Sequence, residues 1–249
     1  MKNTFYSLNS EKFPEKKRIA LISDLHAGSF AKVISNLEKI KPDYILLAGD
    51  ILEALDGSCD NKNKKAVGIF KACSDIAPTF YTAGNHEDGG THSQSRKWKK
   101  MGERARVYTT ENKRIILGSG VNFLMDSYVV KDGIAFGGLA SGLILKDRRP
   151  DIAFLKSFAE LDSPKILICH HPEYYEQYMR DLDIDLIVSG HAHGGQWRIF
   201  GRGVYAPGQG LFPKYTSGVH DGRFVISKGL KKGAIPRFFN PREIVIIDI

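Results

Sequence analysis

The stretch Ile19-Ala-Leu-Ile-Ser-Asp-Leu-His26 places four apolar residues directly before an Asp-x-His pair. A continuous apolar run of this length is typical of a strand buried on both faces, as in the sheets of α/β proteins. Asp24 and His26 then lie just past the end of that strand. Alternate residues of an extended chain face opposite ways, so a turn must bring these two side chains together.

The same arrangement, a short apolar run followed by potential metal ligands, recurs four times farther along the chain. The runs cover residues 44–47, 79–82, 165–168 and 184–188, and they lead respectively to Asp50, to Asn85 and His86, to His170, and to His191 and His193. Glycines beside these residues let the backbone turn sharply. Because functional residues of α/β sheets collect at the carboxyl ends of strands, we expect these side chains to form one site.

Helical patterns separate several of these strands. We predict helices over residues 33–40, 64–74, 95–104, 152–159 and 172–180. Residues 114–139 change to short β-like segments with Gly and Asp breaks, and residues 224–228 and 243–249 look like closing strands. This mixture predicts a layered α/β domain with two sheets. We expect residues 1–18 to be a polar N-terminal extension and residues 19–249 to form a single domain.

Composition and charge restrict the possible binding partners of the chain less than the motifs do. The chain has 249 residues, of which 42% are hydrophobic, so it can bury a sizeable core. Its formal net charge of +8 attracts polyanions, anionic lipid headgroups or phosphorylated substrates, although a merely basic soluble protein would have the same composition. No protein partner is inferred.

The cellular location is expected to be cytoplasmic, with any membrane association peripheral. Residues 1–18 are polar and lysine-rich and contain no apolar run long enough for a signal peptide or a membrane span, and no later segment has one. The three cysteines form no Cys-x-x-Cys motif, which favours a reducing compartment.

The chemistry of the potential ligands favours transition metals. They are carboxylates, one amide and imidazoles, a mixture that suits manganese, iron or zinc without selecting among them. They are too many for one ion, and their number suits two ions that share a carboxylate. Two such cations would lower the pKa of a shared water, and the resulting hydroxide would attack phosphorus in line.

The ordered motifs Asp24-x-His26, Gly49-Asp50, Gly84-Asn85-His86-Glu87, His170-x-Pro172 and Gly190-His191-x-His193 resemble the calcineurin-like metallophosphoesterase superfamily. The resemblance implies a four-layer α/β sandwich of two mixed sheets flanked by helices. It implies one metal held by Asp24, His26 and His193, a second held by Asn85, His170 and His191, and Asp50 as the bridge. It also implies that His86 is the general acid, and Glu53 or Glu87 is the candidate to orient it.

The carboxyl-terminal part of the chain indicates which branch of this superfamily the sequence resembles. The runs Ser189-Gly-His-Ala-His-Gly-Gly-Gln196 and Pro236-x-Arg-Phe-Phe-Asn-Pro241 look like the small bacterial membrane-associated phosphodiesterases, some of which cleave the pyrophosphate of a UDP-diacylglucosamine lipid. The implied substrate is a phosphodiester, pyrophosphate or phosphomonoester, lipid-linked or nucleotide, with the diester favoured. A nuclease of the same fold and a catalytically silent metal-binding scaffold are the alternatives.

Other segments are candidates for contacting the substrate. The Gly-rich and aromatic stretch over residues 194–222 is either a rim of the site or a hairpin that packs on the core. Basic candidates for a phosphate contact are the segment 96–106, Lys231, Lys232 and, as the first choice, Arg237.

Overall fold

The computed structural model of the chain describes residues 1–9, 12–13, 15–53, 60–87, 110–141, 149–232 and 236–249. The strands are β1 Lys2–Ser7, β2 Arg18–Ile22, β3 Tyr44–Ala48, β4 Thr79–Thr82, β5 Asn122–Phe123, β6 Ser127–Lys131, β7 Ile134–Leu139, β8 Lys165–Cys169, β9 Leu186–Ser189, β10 Arg198–Ile199, β11 Arg202–Gly203, β12 Tyr205–Ala206, β13 Gly210–Leu211, β14 Gly218–His220, β15 Phe224–Ile226 and β16 Glu243–Asp248. The helices are α1 Ala31–Ile40, α2 Asp60–Ala66, α3 Gly68–Ser74, α4 Thr110–Gly118 and α5 Ile152–Ala159.

Two six-stranded mixed sheets form the frame. The first has the order β1-β16-β2-β3-β4-β5, with β2 to β5 parallel and β16 antiparallel to β2. The second has the order β14-β15-β9-β8-β7-β6, with a parallel centre and an antiparallel strand at each edge. Every predicted ligand follows one of the central strands of a sheet, so the two sheets bring the motifs to one end of the molecule.

Three apolar clusters hold the layers together. Leu21 and Phe80 of the first sheet pack with Phe136 and Ile168 of the second, and the rings of Phe80 and Phe136 stack with centroids 3.8 Å apart. On the outer face of the first sheet, the helices α1 and α3 cover a second cluster, and on the outer face of the second sheet α5 covers a third. This order of helix, sheet, sheet and helix confirms the expected four-layer α/β sandwich. Among the described residues, no helix combines the length and apolarity needed to cross a bilayer.

The secondary structure differs from the sequence predictions at four places. Within the expected polar N-terminal extension, residues Lys2–Ser7 form β1, a strand that was not predicted and that pairs in parallel with β16. The helix predicted over residues 64–74 is split at Val67 into α2 and α3, and residues 114–118 belong to helix α4 and not to a β-like segment. Residues Pro172–Tyr174 form a 3₁₀ turn that continues as a π-helical turn, Tyr175–Met179, where an α-helix was predicted. The helix predicted over residues 95–104, and the basic segment 96–106, lie outside the described residues.

Candidate metal centre

Six of the seven residues predicted to bind metal come together as two buried clusters. Potential ligand atoms of Asp24, His26 and His193 lie within 4.8 Å of one another, and so do those of Asp50, His170 and His191. The seventh residue, Asn85, places its amide oxygen 3.2 Å from His170 Nε2 and so joins the second cluster. These are the two ligand sets that the sequence motifs imply.

Asp50 lies between the two clusters. Its Oδ2 atom is 3.7 Å from His26 Nε2 of the first cluster and 3.2 Å from His170 Nε2 of the second. Its other oxygen, Oδ1, accepts a hydrogen bond of 2.8 Å from the backbone N–H of His86. One carboxylate oxygen therefore faces both clusters, as a bridging ligand requires.

The local backbone supplies the turn that the Asp-x-His spacing demands. Five of the seven predicted ligands have positive φ: Asp24 at 52°, His26 at 51°, Asp50 at 53°, His191 at 64° and His193 at 48°. Left-handed backbone is uncommon for residues other than glycine and costs free energy, of order 1–3 kcal/mol in strained cases. Such strain collects at functional sites, where the surrounding structure holds the ligand directions.

Two glycines make room for these side chains. A Cβ atom on Gly84 would overlap Asp50 Oδ1, and a Cβ on Gly49 would overlap the backbone of Gly84 and His170 Nδ1. Gly49 also has φ of 75°. The Gly-Asp and Gly-Asn-His motifs therefore need glycine at these positions because the two loops touch.

Hydrogen bonds on the outer side of the site fix the ligand orientations. His170 Nδ1 is 2.7 Å from the carbonyl oxygen of Ala48, and His26 Nδ1 is 3.0 Å from Glu53 Oε2. Asp24 Oδ1 accepts from the backbone N–H of His191 at 3.0 Å. Metal-binding histidines in proteins commonly donate their other ring N–H to a carbonyl or carboxylate in this way.

The inward-facing atoms fit a divalent cation. Within the described part of the chain, His26 Nε2, Asp50 Oδ2 and His193 Nδ1 are buried and have no hydrogen-bond partner. Buried polar atoms are normally paired because an unpaired one costs about 1–3 kcal/mol. Carboxylate oxygens and imidazole nitrogens that converge without partners are the donors that manganese, iron and zinc accept.

The protonation of the site suits the same interpretation. Burial, together with neighbouring cations, holds the pKa values of His191 and His193 well below the usual value, so both are neutral and able to bind metal. Burial alone would raise the pKa of Asp50, but His170 and His86 hold it well below its usual value, so Asp50 is ionised. The charge of Asp50 outweighs the burial of His170 and raises its pKa to about 10, so His170 must release a proton to bind a cation.

His86 lies beside the first cluster and next to Glu53. Its ring meets that of His26 edge-on with centroids 4.4 Å apart, and its Nδ1 forms an ion pair with Glu53 Oε1. Its Nε2 is 3.9 Å from Asp50 Oδ2, and 14% of its side chain is exposed. Burial would lower the pKa of His86, but the charges of Asp50 and Glu53 raise it above the ordinary value, which favours the protonated imidazole.

Of the two acids that could orient His86, Glu53 makes the contact. Glu87 turns away and accepts three backbone hydrogen bonds, from Gly84 at 2.6 Å, from Asp50 at 2.7 Å and from Leu52 at 2.8 Å. Burial and the charge of Asp50 raise the pKa of Glu87 to about 7. Glu87 therefore ties the Asp50 loop to the Gly84 loop.

Two basic residues near the site, Arg237 and Lys231, differ in which groups their positive charges affect. Arg237 donates to the carbonyl oxygens of Lys228 at 2.6 Å and of Gly229 at 3.2 Å, so its guanidinium holds the loop backbone and is a weaker candidate for substrate than the sequence predicted. Lys231, by contrast, lies close enough to help lower the pKa values of His26 and His193 and to oppose the rise in the pKa of His86. From the sequence alone there is no reason to prefer Lys231 over Lys232.

A second group of polar residues, not assigned from the sequence, adjoins the second cluster. Glu173 Oε1 is 3.0 Å from His171 Nδ1 and 3.7 Å from His191 Nε2, and His171 Nε2 is 2.8 Å from Ser141 Oγ. Burial opposes ionisation, but His171 and His191 lower the pKa of Glu173 to about 2. This carboxylate therefore supports His191 from outside the site. The position of Glu173 three residues after His170 was the available signal.

Part of the stretch over residues 194–222 packs on the core, as one of the two interpretations of its sequence predicts. Tyr215 is buried and packs on Phe224 of the second sheet and on Tyr175 of the π-helical turn. The remainder begins at the last ligand and forms two small hairpins, β10–β11 and β12–β13.

Comparison with known proteins agrees with this geometry. A family model described as calcineurin-like phosphoesterase matches residues 17–195. An uncharacterized metallophosphoesterase of Campylobacter jejuni is 27% identical over 239 residues, which cover 93% of this chain and 59% of that protein. The phosphodiesterase YaeI of Escherichia coli is 29% identical over 204 residues, which cover 73% of this chain and 62% of that protein.

The crystal structure of TT1561 of Thermus thermophilus aligns with a TM-score of 0.43 and 14% identity over 71% of this chain and 82% of that one. This chain spans about three fifths of the length of the two curated relatives.

Proposed function

Because this chain belongs to the calcineurin-like phosphoesterase family, we propose that it hydrolyses a phosphate ester with two divalent cations and with His86 as the general acid. The observation that carries the proposal is the convergence of buried donor atoms in two clusters that share Asp50, among which His26 Nε2, His193 Nδ1 and Asp50 Oδ2 have no hydrogen-bond partner. Asp24, His26 and His193 would hold one cation, and Asn85, His170 and His191 the other.

The cations would supply positive charge to the phosphoryl oxygens and lower the pKa of the attacking water. The residues of the chain provide the rest. Asp50 sets the separation of the clusters, since its Oδ2 faces both. Asp24 stays in place because it accepts from the backbone of His191. Burial of the ligands excludes water and strengthens each electrostatic interaction with the charge that develops on phosphorus.

His86 donates the proton to the leaving oxygen. Glu53 pairs with Nδ1 of the ring and so leaves Nε2 to face the site. The raised pKa of His86 favours the protonated imidazole, which is the form that a general acid needs. A general acid placed in this way contributes about 10²–10⁴ to the rate. Glu53 acts through His86 and is a positioning residue.

We favour a phosphodiester or pyrophosphate over a phosphomonoester as the bond that is cleaved. The E. coli relative is named a phosphodiesterase, although it is 29% identical. The leaving group is proposed to be a nucleotide or a lipid-linked phosphate, and the basic composition suits either. A nucleic acid, cleaved by the same chemistry, is the alternative substrate.

The proposal is tested with metal-stripped protein titrated with manganese, iron or zinc and assayed on bis-para-nitrophenyl phosphate and on para-nitrophenyl phosphate. We expect metal-dependent hydrolysis with higher kcat/KM for the diester. His86→Ala should retain both metals and lose about 10²–10⁴ in kcat. His220→Ala, which changes a histidine beside Ser217 and Tyr215, is the matched control and should retain full activity.

Three outcomes separate the alternatives. Two bound metals without hydrolysis of either ester or of DNA and RNA would support a silent scaffold. Cleavage of nucleic acid alone would support the nuclease. Full activity in His86→Ala would show that the general acid is another group.

A further inference from the structure

Three phenylalanines are exposed to water at backbone positions that do not suit them. Phe200, Phe212 and Phe239 are 101%, 74% and 87% exposed. Each also has positive φ, at 48°, 49° and 53° respectively. A bulky residue in left-handed backbone is an outlier, and its exposed ring gives no burial in return. The fold therefore gains nothing from these three side chains, and their presence points to an interaction outside the fold.

The turn at Phe200 shows the cost most clearly. Strands β10 and β11 pair so that Ile199 lies opposite Arg202, which leaves Phe200 and Gly201 as the two residues of the turn. Both have positive φ, the geometry that favours Asn-Gly at this place in a hairpin. Phenylalanine at the first position puts a fully exposed aromatic ring at the tip of the hairpin.

The exposed aromatic residues belong to one surface. Phe200, Phe212 and Ile199 line a groove of about 470 Å³ together with Arg202 and Val204. The turn that carries Phe239 is attached to the same hairpin, because the backbone N–H of Arg198 donates to the carbonyl oxygen of Phe238 at 3.1 Å. Leu211 and Phe238 are also exposed, at 72% and 59%. We call this set the aromatic surface: Ile199, Phe200, Leu211, Phe212, Phe238 and Phe239.

The positive charge of the chain is concentrated in the same segment. Residues 197–242 contain nine of the 36 lysines and arginines but one of the 28 acidic residues, Asp221. The rest of the chain carries equal numbers of each sign, so the whole net charge of +8 resides here. Arg202, Lys214 and Lys232 of this segment are exposed. A surface with protruding aromatic side chains and basic neighbours complements the apolar interior and negative headgroups of an anionic bilayer.

The aromatic surface is attached to the backbone of the last metal ligand. Asn240, next to Phe239, donates to the carbonyl oxygen of His193 at 2.7 Å and to that of Gln196 at 3.1 Å. Arg198 donates to the carbonyl oxygen of Gly194 at 3.0 Å. The turn that carries Phe239 is therefore held against the loop that carries His193.

We propose that the aromatic surface inserts into the interface of an anionic lipid bilayer. Phe200, Phe212 and Phe239 enter the boundary between headgroups and acyl chains, and the neighbouring lysines and arginines bind headgroup phosphates. Insertion removes the phenylalanine rings from water, whereas folding of the chain leaves them exposed. If the proposed function holds, the substrate is a phosphate ester carried in the headgroup layer. Membrane binding itself does not depend on that function.

The experiment measures co-sedimentation of the full chain with vesicles of phosphatidylcholine, and with vesicles of equal parts phosphatidylcholine and phosphatidylglycerol. We expect binding to the mixed vesicles that weakens as salt rises, and much weaker binding to phosphatidylcholine alone. The triple variant Phe200→Asn, Phe212→Asn and Phe239→Asn should lower the partition constant by at least about tenfold, because buried aromatic area is lost. Asparagine tolerates positive φ, so this variant should be at least as thermally stable as the parent chain.

A matched variant replaces exposed apolar residues outside the aromatic surface, Phe5→Gln, Leu117→Gln and Tyr128→Gln, and should bind vesicles like the parent. The proposal is overturned if the parent does not bind the mixed vesicles, or if the Phe→Asn variant binds them as well as the parent. It is also overturned if sedimentation velocity shows a dimer that the Phe→Asn variant dissociates, since the occupant would then be a second copy. Hydrolysis of bis-para-nitrophenyl phosphate without vesicles should be equal in all three proteins and reports separately on the proposed function.

Discussion

Lys231 and Lys232 are adjacent basic residues with different surroundings. The positive charge of Lys231 disfavours protonation of His26, His86 and His193, whereas the side chain of the adjacent Lys232 is exposed to solvent. We predict that Lys231→Gln raises KM for bis-para-nitrophenyl phosphate about tenfold, because a charge-assisted contact to phosphate is worth about 1.5–3 kcal/mol. Lys232→Gln is the control and should change KM little. Equal effects of the two substitutions would argue for general charge attraction and against a specific contact.

Glu87 gives a pH dependence with a defined sign. Its folded-state pKa of about 7 lies above the ordinary 4.5, so between these values the metal-free folded chain binds a proton that the unfolded chain has released. This group therefore favours folding below about pH 4.5, and the benefit is lost as pH rises through about 7. We predict that Glu87→Gln flattens this part of the metal-free stability curve, measured by urea unfolding at several pH values. It should also lower stability at pH 5 by about 1–3 kcal/mol, since an amide cannot accept all three backbone N–H groups.

The opposite pH slope in the parent chain, or an unchanged slope in Glu87→Gln, would show that Glu87 is ionised throughout. Bound metal would reduce the effect, because cations beside Asp50 would offset the charge that raises the pKa of Glu87.

The residues of the two clusters could be predicted from the sequence, whereas the acids that contact them could not. Each ligand sits in a short motif after an apolar run, and the sheet order forces those strand ends together. Glu53 and Glu87 are both close in sequence to ligands, at three residues from Asp50 and one from His86. Which acid turns toward His86 depends on positive φ at Asp50 and on contact between two loops, and neither is encoded in local spacing.

At the scale of single elements, helix α5 is the one whose boundaries the sequence predicted fully. Its start is fixed by Asp151, whose side-chain Oδ1 accepts from the backbone N–H of Phe154 at 2.9 Å. We predict that Asp151→Ala lowers the free energy of unfolding by about 0.5–2 kcal/mol, because the helix loses its N-cap. Asp151→Asn keeps an acceptor oxygen and should be close to neutral. Urea unfolding measures both, and equal losses in the two variants would indicate that the charge matters more than the cap.

Elements that depend on distant partners were the ones that the sequence missed. The polar strand β1 exists because β16, more than 230 residues later, offers an unpaired edge along its whole length. The β-branched and apolar residues of 114–118 resemble a strand. They form a helix instead, and this helix packs Ile116 against the outer face of the first sheet. The hairpins after His193 have two-residue strands, too short for any periodicity to reveal.

For the molecule as a whole, the metal centre connects the two sheets. Asp24, His26, Asp50 and Asn85 follow strands of the first sheet, while His170, His191 and His193 follow strands of the second. The sheets also share an apolar core, in which Phe80 stacks on Phe136. Metal binding therefore requires both sheets to be folded and correctly placed, and an unfolded chain cannot offer the same set of ligands.

This connection predicts that removing the metals lowers the thermal midpoint of the entire domain. Ligand present at about 100 times its dissociation constant stabilises the folded state by about 2.7 kcal/mol per site. For a chain of this size each kcal/mol shifts Tm by about 2–4 °C, so chelation should lower Tm by about 5–10 °C for each site that is emptied, or about 10–20 °C for both. Differential scanning calorimetry with and without chelator measures the shift, and atomic emission measures the metal content. Asp50→Asn, which weakens the shared ligand, should respond less to the chelator than the parent. An unchanged Tm after complete metal loss would mean that the unfolded chain binds the metals as tightly as the folded chain does, and that the apolar core alone holds the two sheets together.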